Sequence, residues 1–285
     1  ASPLSWEEAV EELEALLADA TRLRLRADVP VASYLSGGLD STYITSLIRR
    51  YKQDALCTFS IAFEDPSFDE RAYQEVATDY LRTDHRRTTC TTTEIGQIFP
   101  QVIWHTEAPI LRTSPAPMYL LSRLVRENEF KVVLTGEGSD EFLGGYNIYK
   151  EDKVRRFWAR DPDSTLRPLL FTRLYPYIAD LSRGGAYLAA FFRQGLMDID
   201  KAGYSHHIRW QNTARQQRFF APELLSALKH YSPVEEFLGT LDKAFTAKSP
   251  LAQAQYLEVK TFMSPYLLSS QGDRMMAANS VEGRF

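Results

Sequence analysis

Cysteine is scarce in this sequence, since Cys57 and Cys90 are the only two among 285 residues and they form no CxxC pair. A zinc site needs more ligands than two thiols, so the zinc-finger classes are excluded. A chain of this length can bury about three quarters of the surface that its unfolded form exposes. Disulfides and structural metals are therefore not needed for stability, and we expect both thiols to be reduced, as is usual in the cytosol.

Long apolar runs and a basic surplus are missing as well. No stretch reaches the roughly 18 apolar residues of a membrane span. The residues from Ala1 to Leu4 contain neither a basic segment nor an apolar one, so no signal peptide is expected. The net charge is −4 and the isoelectric point is near 5.8, whereas dedicated nucleic-acid binders are usually basic. We expect a cytoplasmic protein that acts on small molecules, with no nucleic acid or membrane as partner.

The remaining composition, with 44% hydrophobic and 25% charged residues, is that of an ordinary globular protein. Apolar residues at helical spacing predict a first helix over residues 6–26, which begins with a capping box of Ser5 and Glu8. Short apolar runs predict strands at residues 29–35, 56–63, 85–89 and 131–134. Helical patterns lie at residues 42–51, 69–81, 95–104 and 118–125, and Pro117 is expected to begin the last of them.

Alternating strands and helices predict an α/β fold, a parallel twisted sheet with helices on both faces. Ala72, Val76 and Tyr80 are expected to form one face of the helix at residues 69–81. Residues 1–149 form the α/β part of this prediction, and residues 150–285 form a mainly helical C-terminal portion. Ligands of such sheets lie outside the carboxyl ends of the strands. Two glycine-bearing loops, residues 36–41 and 135–140, follow predicted strands, and we expect them to face one crevice.

The first loop reads Ser36-Gly37-Gly38-Leu39-Asp40-Ser41. Its two glycines allow a sharp turn and a close approach of the backbone to a ligand. The following helix points free N–H groups and its positive dipole end at the turn, which suits a phosphate. Bare phosphates would repel Asp40, but a Mg²⁺ ion between them removes the conflict, because Mg²⁺ prefers carboxylate oxygens. The alternative is an ordinary strand-to-helix turn, although the full string is more specific than a lone Gly-Gly.

Two other phosphate motifs do not fit this sequence. A GxxxxGK[ST] string is absent, so the first loop is not a Walker-type P-loop. Gly136-Glu137-Gly138 begins like a dinucleotide fingerprint, but Glu141 stands where the third glycine belongs. The carboxylates of Glu137, Asp140 and Glu141 would repel one another in a shared site, and a bound cation would offset that repulsion. A solvated acidic turn is the alternative interpretation of this second loop.

Three segments carry a resemblance to known families. Residues 36–41 look like the SGGLDS pyrophosphate loop of the ATP-pyrophosphatase group. Residues 136–146 resemble the GEGSDE-x-x-GGY segment of the asparagine synthetases, and residues 273–284 are similar to their DRM-x-MA…S-x-E-x-R segment. All three occur in the order of that family, in its C-terminal synthetase domain. The resemblance implies a sheet of the adenine-nucleotide α-hydrolase type and an ATP-dependent ligase that forms an acyl-adenylate and then an amide.

The resemblance also implies roles for single positions. Asp40 and Asp140 are expected to hold Mg²⁺, and Glu137 is expected to take a proton from the attacking amine. Arg274 and Arg284 are expected to face the phosphates as fixed cations. The phosphates are expected to lie in the loop of Ser36, Gly37, Gly38, Leu39 and Ser41. The residues expected to border the adenosine are Leu35, Ile61 and Gly136.

Several family features are not found. The N-terminal glutaminase domain of the asparagine synthetases and their downstream lysine segment are absent, and Ala277, Gly283 and Phe285 depart from the usual residues. Either the chain is a piece of a longer protein, or its site is incomplete. The expected nitrogen source is ammonia or glutamine-derived ammonia, with a glutaminase domain on the parent chain or in trans. A homodimer is a further expectation. The substrate is expected to be aspartate or a related carboxylic acid.

Two other functions stay open. Relatives that resemble β-lactam synthetases or peptide cyclases use the same adenylation with an internal amine. The missing lysine segment motivates a non-catalytic nucleotide-binding module.

Neighbouring His206 and His207 lack the i, i+4 spacing of a metal pair. Eight large aromatic side chains are expected in the core: Trp104, Phe157, Trp158, Tyr175, Tyr177, Phe191, Phe192 and Trp210.

Overall fold

The computed structural model describes residues 4–52, 54–175 and 185–285. Its five strands are β1 (Val31–Tyr34), β2 (Cys57–Phe63), β3 (Asp84–Cys90), β4 (Val132–Leu134) and β5 (Glu282–Arg284). All neighbouring strands pair in parallel, in the order β3-β2-β1-β4-β5. The predicted α/β fold with a parallel sheet is therefore confirmed.

The helices of the first half begin close to the predicted positions. They are α1 (Trp6–Arg24), α2 (Leu39–Tyr51), α3 (Arg71–Leu81), α4 (Thr92–Thr106), α5 (Pro115–Glu127) and α6 (Ser139–Leu143). The capping box of Ser5 and Glu8 is present at the start of α1. Helix α5 begins at Pro115 and not at Pro117, because a proline at the first helical position is preorganised for the helix.

Two features could not be expected from the sequence pattern. The face of α3 with Ala72, Val76 and Tyr80 is exposed, and the helix buries Gln74, Ala77 and Leu81 instead. The spacing of apolar residues marked the exposed face of α3, because the buried face includes a polar residue, Gln74. Strand β5 was not predicted, since three residues that include Gly283 give no strand pattern of their own.

Hydrophobic cores cover both faces of the sheet. On one face, Val31 and Val132 pack with Ile48 of α2 in a fully buried cluster. On the other, Ala32 and Val133 pack with a cluster that contains Val125 of α5. Successive residues of one strand thus point to opposite faces, as the pleat requires. Gly283 lies where an added Cβ would overlap the side chain of Met276, so this departure from the family is matched by its neighbour.

The chain divides into two compact units, residues 1–139 with 262–285 and residues 140–261. The division at residue 149 that the sequence suggested stays a prediction. Later helices are α7 (Asn147–Ala159), α8 (Leu170–Leu174), α9 (Gly185–Arg193), α10 (Tyr204–Ala214), α11 (Pro222–Ala227), α12 (Pro233–Gly239), α13 (Pro250–Glu258) and α14 (Arg274–Ala277). Short 3₁₀ helices span Arg167–Leu169 and Arg215–Phe219, and a π-helix spans Val259–Asp273.

The second unit has its own core, where Trp158, Phe171 and Phe192 are buried. Trp104 and Phe157 were expected in cores but are 80% and 43% exposed, so those two expectations were wrong. Tyr175, Phe191 and Trp210 are partly buried. Tyr177 lies outside the described residues. None of the helices formed by the described residues combines the length and apolarity that crossing a bilayer requires.

Candidate functional site

The first glycine loop joins β1 to α2. The Leu35 N–H donates to the Phe59 carbonyl at 2.9 Å, which extends the pairing of β1 with β2 by one residue. Gly37 then adopts a φ of +83°, and Gly38 is the N-cap of α2. No side chain caps this helix, so its first N–H groups keep no intrahelical partner. The loop therefore offers the backbone donors that an anion requires.

Two hydroxyls fasten this loop. The oxygens of Ser36 and Ser41 lie 2.9 Å apart. The Ser36 N–H donates to the Ser41 hydroxyl at 3.2 Å, and the Gly38 N–H donates to the Ser36 hydroxyl at 3.2 Å. The sequence assigned both hydroxyls to phosphate. In the structure they also hold the two ends of the turn together.

Gly37 is required by its surroundings as well as by its backbone angle. A Cβ at this position would lie 2.6 Å from the amide nitrogen of Gln74 and 2.8 Å from the Cβ of Tyr73. A Cβ atom does not approach other atoms that closely, so any larger residue would push the loop away from α3. The first loop thus packs directly on the N-terminal turn of α3.

The second glycine loop follows β4, which is the neighbour of β1 in the sheet. Ser139 donates its hydroxyl to the Gly136 carbonyl at 2.9 Å, and the Glu137 N–H donates to the Thr135 hydroxyl at 3.3 Å. A Cβ at Gly136 would lie 3.0 Å from the backbone nitrogen of Ser41. The two loops are therefore in contact at the carboxyl ends of adjacent parallel strands.

Tyr34 was missed by the sequence interpretation. It is the last residue of β1, it is buried, and its hydroxyl has no hydrogen-bond partner among the described residues. Burial raises the pKa of Tyr34 far above its ordinary value, and the nearby Glu137 carboxylate raises it further. A neutral phenol therefore lies close to the predicted proton acceptor. Only the alternation of β1 side chains could have indicated it.

The two predicted arginines have different surroundings. One guanidinium nitrogen of Arg274, Nη1, is buried and has no partner among the described residues. An unsatisfied buried donor is costly, and a bound anion would satisfy it. Arg284 donates instead to the carbonyls of Arg24 and Arg26 at the end of α1, and it pairs with Glu282 at 2.7 Å. Its predicted role at the phosphates stays a prediction.

The residues predicted to border the adenosine lie near the end of β1. Leu35 is fully buried, and Gly136 is half-buried. Ile61 is also half-buried, near the carboxyl end of β2, and its carbonyl accepts a hydrogen bond from the Gln74 amide at 2.9 Å. Leu35 and Gly136 thus follow the adjacent strands β1 and β4, and Ile61 lies in β2, the other neighbour of β1.

Asp140 and Glu141 belong to the second unit. A Cβ at Gly145 would overlap the Asp140 carboxylate, so the second glycine of the Gly-Gly-Tyr segment leaves room for that side chain. Glu141 is fully buried and accepts a hydrogen bond from the Tyr146 hydroxyl at 2.9 Å. Burial raises the pKa of Asp140 and of Glu141. Both carboxyls therefore have surroundings that a nearby cation would suit.

The donors predicted for Mg²⁺ have suitable chemistry. Asp40 lies in the first turn of α2 and is half-buried. Among the described residues, no group of three or more histidines, cysteines and carboxylates is arranged to hold a metal ion. Mg²⁺ in nucleotide sites is usually held by one or two carboxylates together with phosphate oxygens, so a dedicated protein cage is not required. His206, by contrast, is buried and bonded to Glu258 at 2.7 Å.

Comparison with known proteins finds one matching family model and several similar proteins. The family model described as asparagine synthase matches residues 12–285. A glutamine-hydrolyzing asparagine synthetase 1 of Bacillus subtilis is 27% identical over 278 residues, which cover 96% of this chain and 41% of that protein. Amidase chyE of Penicillium rubens is 27% identical over 307 residues, with 98% and 44% coverage. The chain thus spans less than half the length of these relatives.

Proposed function

The chain belongs to the asparagine synthase family, and from this membership we propose that it binds ATP with Mg²⁺ and forms an amide bond through an acyl-adenylate. The observation that carries the proposal is the contact between the two glycine loops, where Gly136 lies against Asp40 and Ser41. Adjacent strand ends, uncapped helical N–H groups and a carboxylate in the first helical turn together suit a polyphosphate with its cation.

The proposed reaction has two steps. A carboxylate oxygen of the acid attacks the α-phosphorus of ATP, and the bond to the leaving pyrophosphate breaks. An amine then attacks the acyl carbon, loses a proton, and displaces AMP. The protein contributes mainly by positioning the reactants and by neutralising charge that develops in each step.

We assign the roles as follows. Asp40 and, on sequence grounds, Asp140 hold Mg²⁺, which neutralises phosphate charge when it is bound. Glu137 accepts the proton of the attacking amine, and the buried phenol of Tyr34 lies nearby. Arg274 faces a phosphate through its Nη1 atom, which has no partner among the described residues. The loop of Ser36, Gly37, Gly38, Leu39 and Ser41 binds the phosphates.

The acid and the amine are proposed from the names of the relatives. Aspartate with ammonia, or with ammonia derived from glutamine by a glutaminase domain, is the first candidate, because relatives named as glutamine-hydrolyzing asparagine synthetases match most of the chain. Two relatives named amidases match 98% of it. Those matches favour, as a second candidate, another amide-forming reaction with a different acid.

The test is to incubate the protein with ATP, Mg²⁺, ammonium and a panel of carboxylic acids led by aspartate, and to measure AMP and pyrophosphate. Release with aspartate supports asparagine formation, and release with another acid alone supports the second candidate. The Asp40→Asn variant is the control, because it removes a proposed metal ligand at constant side-chain size. Nucleotide binding without release for any acid would contradict the catalytic proposal and favour a binding module.

A further inference from the structure

Gln74 is a buried amide on the sheet-facing side of α3. Only 1% of it is exposed, and it shares this face with Ala77 and Leu81. Burial of an amide is costly unless its polar atoms find partners. Its nitrogen donates to the Ile61 carbonyl at 2.9 Å, and its oxygen accepts from the Ser60 hydroxyl at 2.9 Å. Both ends of the amide are thus bonded to consecutive residues of β2.

The Ile61 peptide lies beyond the end of β1. Tyr34 pairs with Phe59, and the Leu35 N–H donates to the Phe59 carbonyl. In a parallel sheet, the N–H and C=O groups of every second residue point towards the same neighbouring strand. The groups of Ile61 therefore point to the side where β1 has already turned into the first glycine loop. This is the side on which the nucleotide is proposed to bind.

A chain of hydrogen bonds fixes the direction of the Gln74 amide. The Ile61 carbonyl can only accept, so the amide nitrogen must face it and the amide oxygen must face Ser60. Ser60 donates its single proton to that oxygen and lies 2.9 Å from Nε2 of His85. Nδ1 of the same ring lies 2.9 Å from the Thr58 hydroxyl. The amide cannot rotate without breaking this chain.

The backbone of Gln74 contacts the first glycine loop. Its amide nitrogen is the atom that an added Cβ at Gly37 would meet at 2.6 Å. One residue thus contacts the first glycine loop through its backbone and the edge of β2 through its side chain. These two contacts lie on the proposed phosphate side and the proposed adenosine side of the same ligand.

We propose that Gln74 is a positioning residue for ATP, which holds the Ile61 peptide in the orientation that receives the adenosine. This inference rests on the proposed function, because it assumes that ATP is the ligand of the two loops. The side chain is proposed to act on the adenosine end, since the contact of Gln74 with the first glycine loop is made through its backbone amide nitrogen. Loss of the side chain therefore weakens binding of the nucleoside and leaves binding of the phosphates intact.

The test compares Gln74→Met and Gln74→Glu with the wild-type protein. Methionine keeps the length and loses the bonds to Ser60, Ile61 and Arg87, and glutamate keeps an acceptor for Ser60 and Arg87 but loses the donor to Ile61. Ser122→Ala is the matched control, because Ser122 is a buried polar residue that bonds to Tyr119 and Met275 instead. Affinities for ATP and for inorganic tripolyphosphate are measured by calorimetry in Mg²⁺.

Both Gln74 variants are expected to bind ATP about tenfold more weakly and tripolyphosphate as tightly as the wild type, while Ser122→Ala changes neither. In turnover, the KM for ATP rises with little change in kcat. Unchanged ATP affinity in the Gln74 variants would overturn the inference. An equal loss for both ligands would also overturn it, as it would indicate a structural role alone. A wild-type protein that binds neither ligand would overturn the proposed function together with the inference.

Discussion

Gly136 of the second loop lies against Ser41 of the first, close enough that a Cβ added to Gly136 would be 3.0 Å from the Ser41 amide nitrogen. The two residues are far apart in the chain, but β1 and β4 pair side by side, with Ser33 opposite Leu134. Adjacent parallel strands bring the loops that follow them to the same edge of the sheet. The site proposed for ATP is built on this contact.

Gly136→Ala is expected to weaken ATP binding by about tenfold or more. The added methyl would meet backbone atoms of Asp40 and Ser41 at 3.0–3.1 Å, so the loops must separate by a fraction of an ångström. Small misplacements of binding groups carry large costs. Calorimetric titration with ATP checks this. Gly239→Ala is the control, since nothing lies within 4 Å of its added Cβ. Equal affinities in both variants would contradict the loop contact.

Gly37→Ala is expected to lower the free energy of unfolding by about 1–2 kcal/mol or more. Its φ of +83° is unfavourable for alanine, and the methyl would clash with Tyr73 and Gln74. Gly96→Ala is the opposite case, because Gly96 lies in the interior of α4 with open space around it. The Gly96→Ala change should raise the free energy of unfolding by about 0.5–1 kcal/mol. Urea unfolding of both variants checks the pair, and a stable Gly37→Ala would show that the turn is not constrained.

Arg274→Met and Arg284→Met are expected to differ in stability. Removal of Arg274 deletes a buried donor that has no partner among the described residues, so stability should stay constant or rise while turnover falls. Removal of Arg284 deletes hydrogen bonds to Arg24 and Arg26 and should cost about 1–2 kcal/mol. Thermal unfolding and pyrophosphate release measure both effects. A larger loss of stability in Arg274→Met than in Arg284→Met would contradict the surroundings described for the two arginines.

His85 is expected to make stability depend on pH. Burial lowers its pKa from the ordinary value of 6.5, and the charge of Arg87 lowers it further. As the pH falls through about 6.5, the unfolded chain takes up a proton that the folded protein does not. The free energy of unfolding therefore decreases until the pH reaches the lower pKa of His85 in the folded protein. His85→Gln should reduce the loss of stability between about pH 7.5 and 5.5. Exposed His230→Gln is the control for urea unfolding. An unchanged pH slope in His85→Gln would contradict the shift.

The sheet and the loops could be predicted from local patterns. Buried apolar runs that end in glycine and small polar residues mark a strand, a turn and a helix, and these signals lie within a few residues of one another. The contact between Gly136 and Ser41 follows from the position of β4 beside β1, which the parallel sheet only suggested. The two loops named from the sequence thus follow β1 and β4, and the roles of their residues stay predictions.

Other features depend on tertiary contacts that no local pattern encodes. Gln74 is polar yet buried, because β2 supplies a donor and an acceptor for its amide. Strand β5 is formed by pairing with all three residues of β4. The Arg284 guanidinium donates to the carbonyl of Arg24, at the end of α1 and near the other end of the chain. The structure at such positions can be predicted only when the distant partner is known.

The central claim is that a carboxylate attacks the α-phosphorus of ATP, and an oxygen label tests it most directly. Aspartate labelled with ¹⁸O in its carboxyl groups is incubated with the protein, ATP, Mg²⁺ and ammonium, and the nucleotide product is analysed by mass spectrometry. The account predicts AMP with one ¹⁸O atom, because the attacking oxygen leaves with the phosphate when the amine displaces it. Unlabelled AMP, or ADP with phosphate, formed along with the amide would contradict the acyl-adenylate.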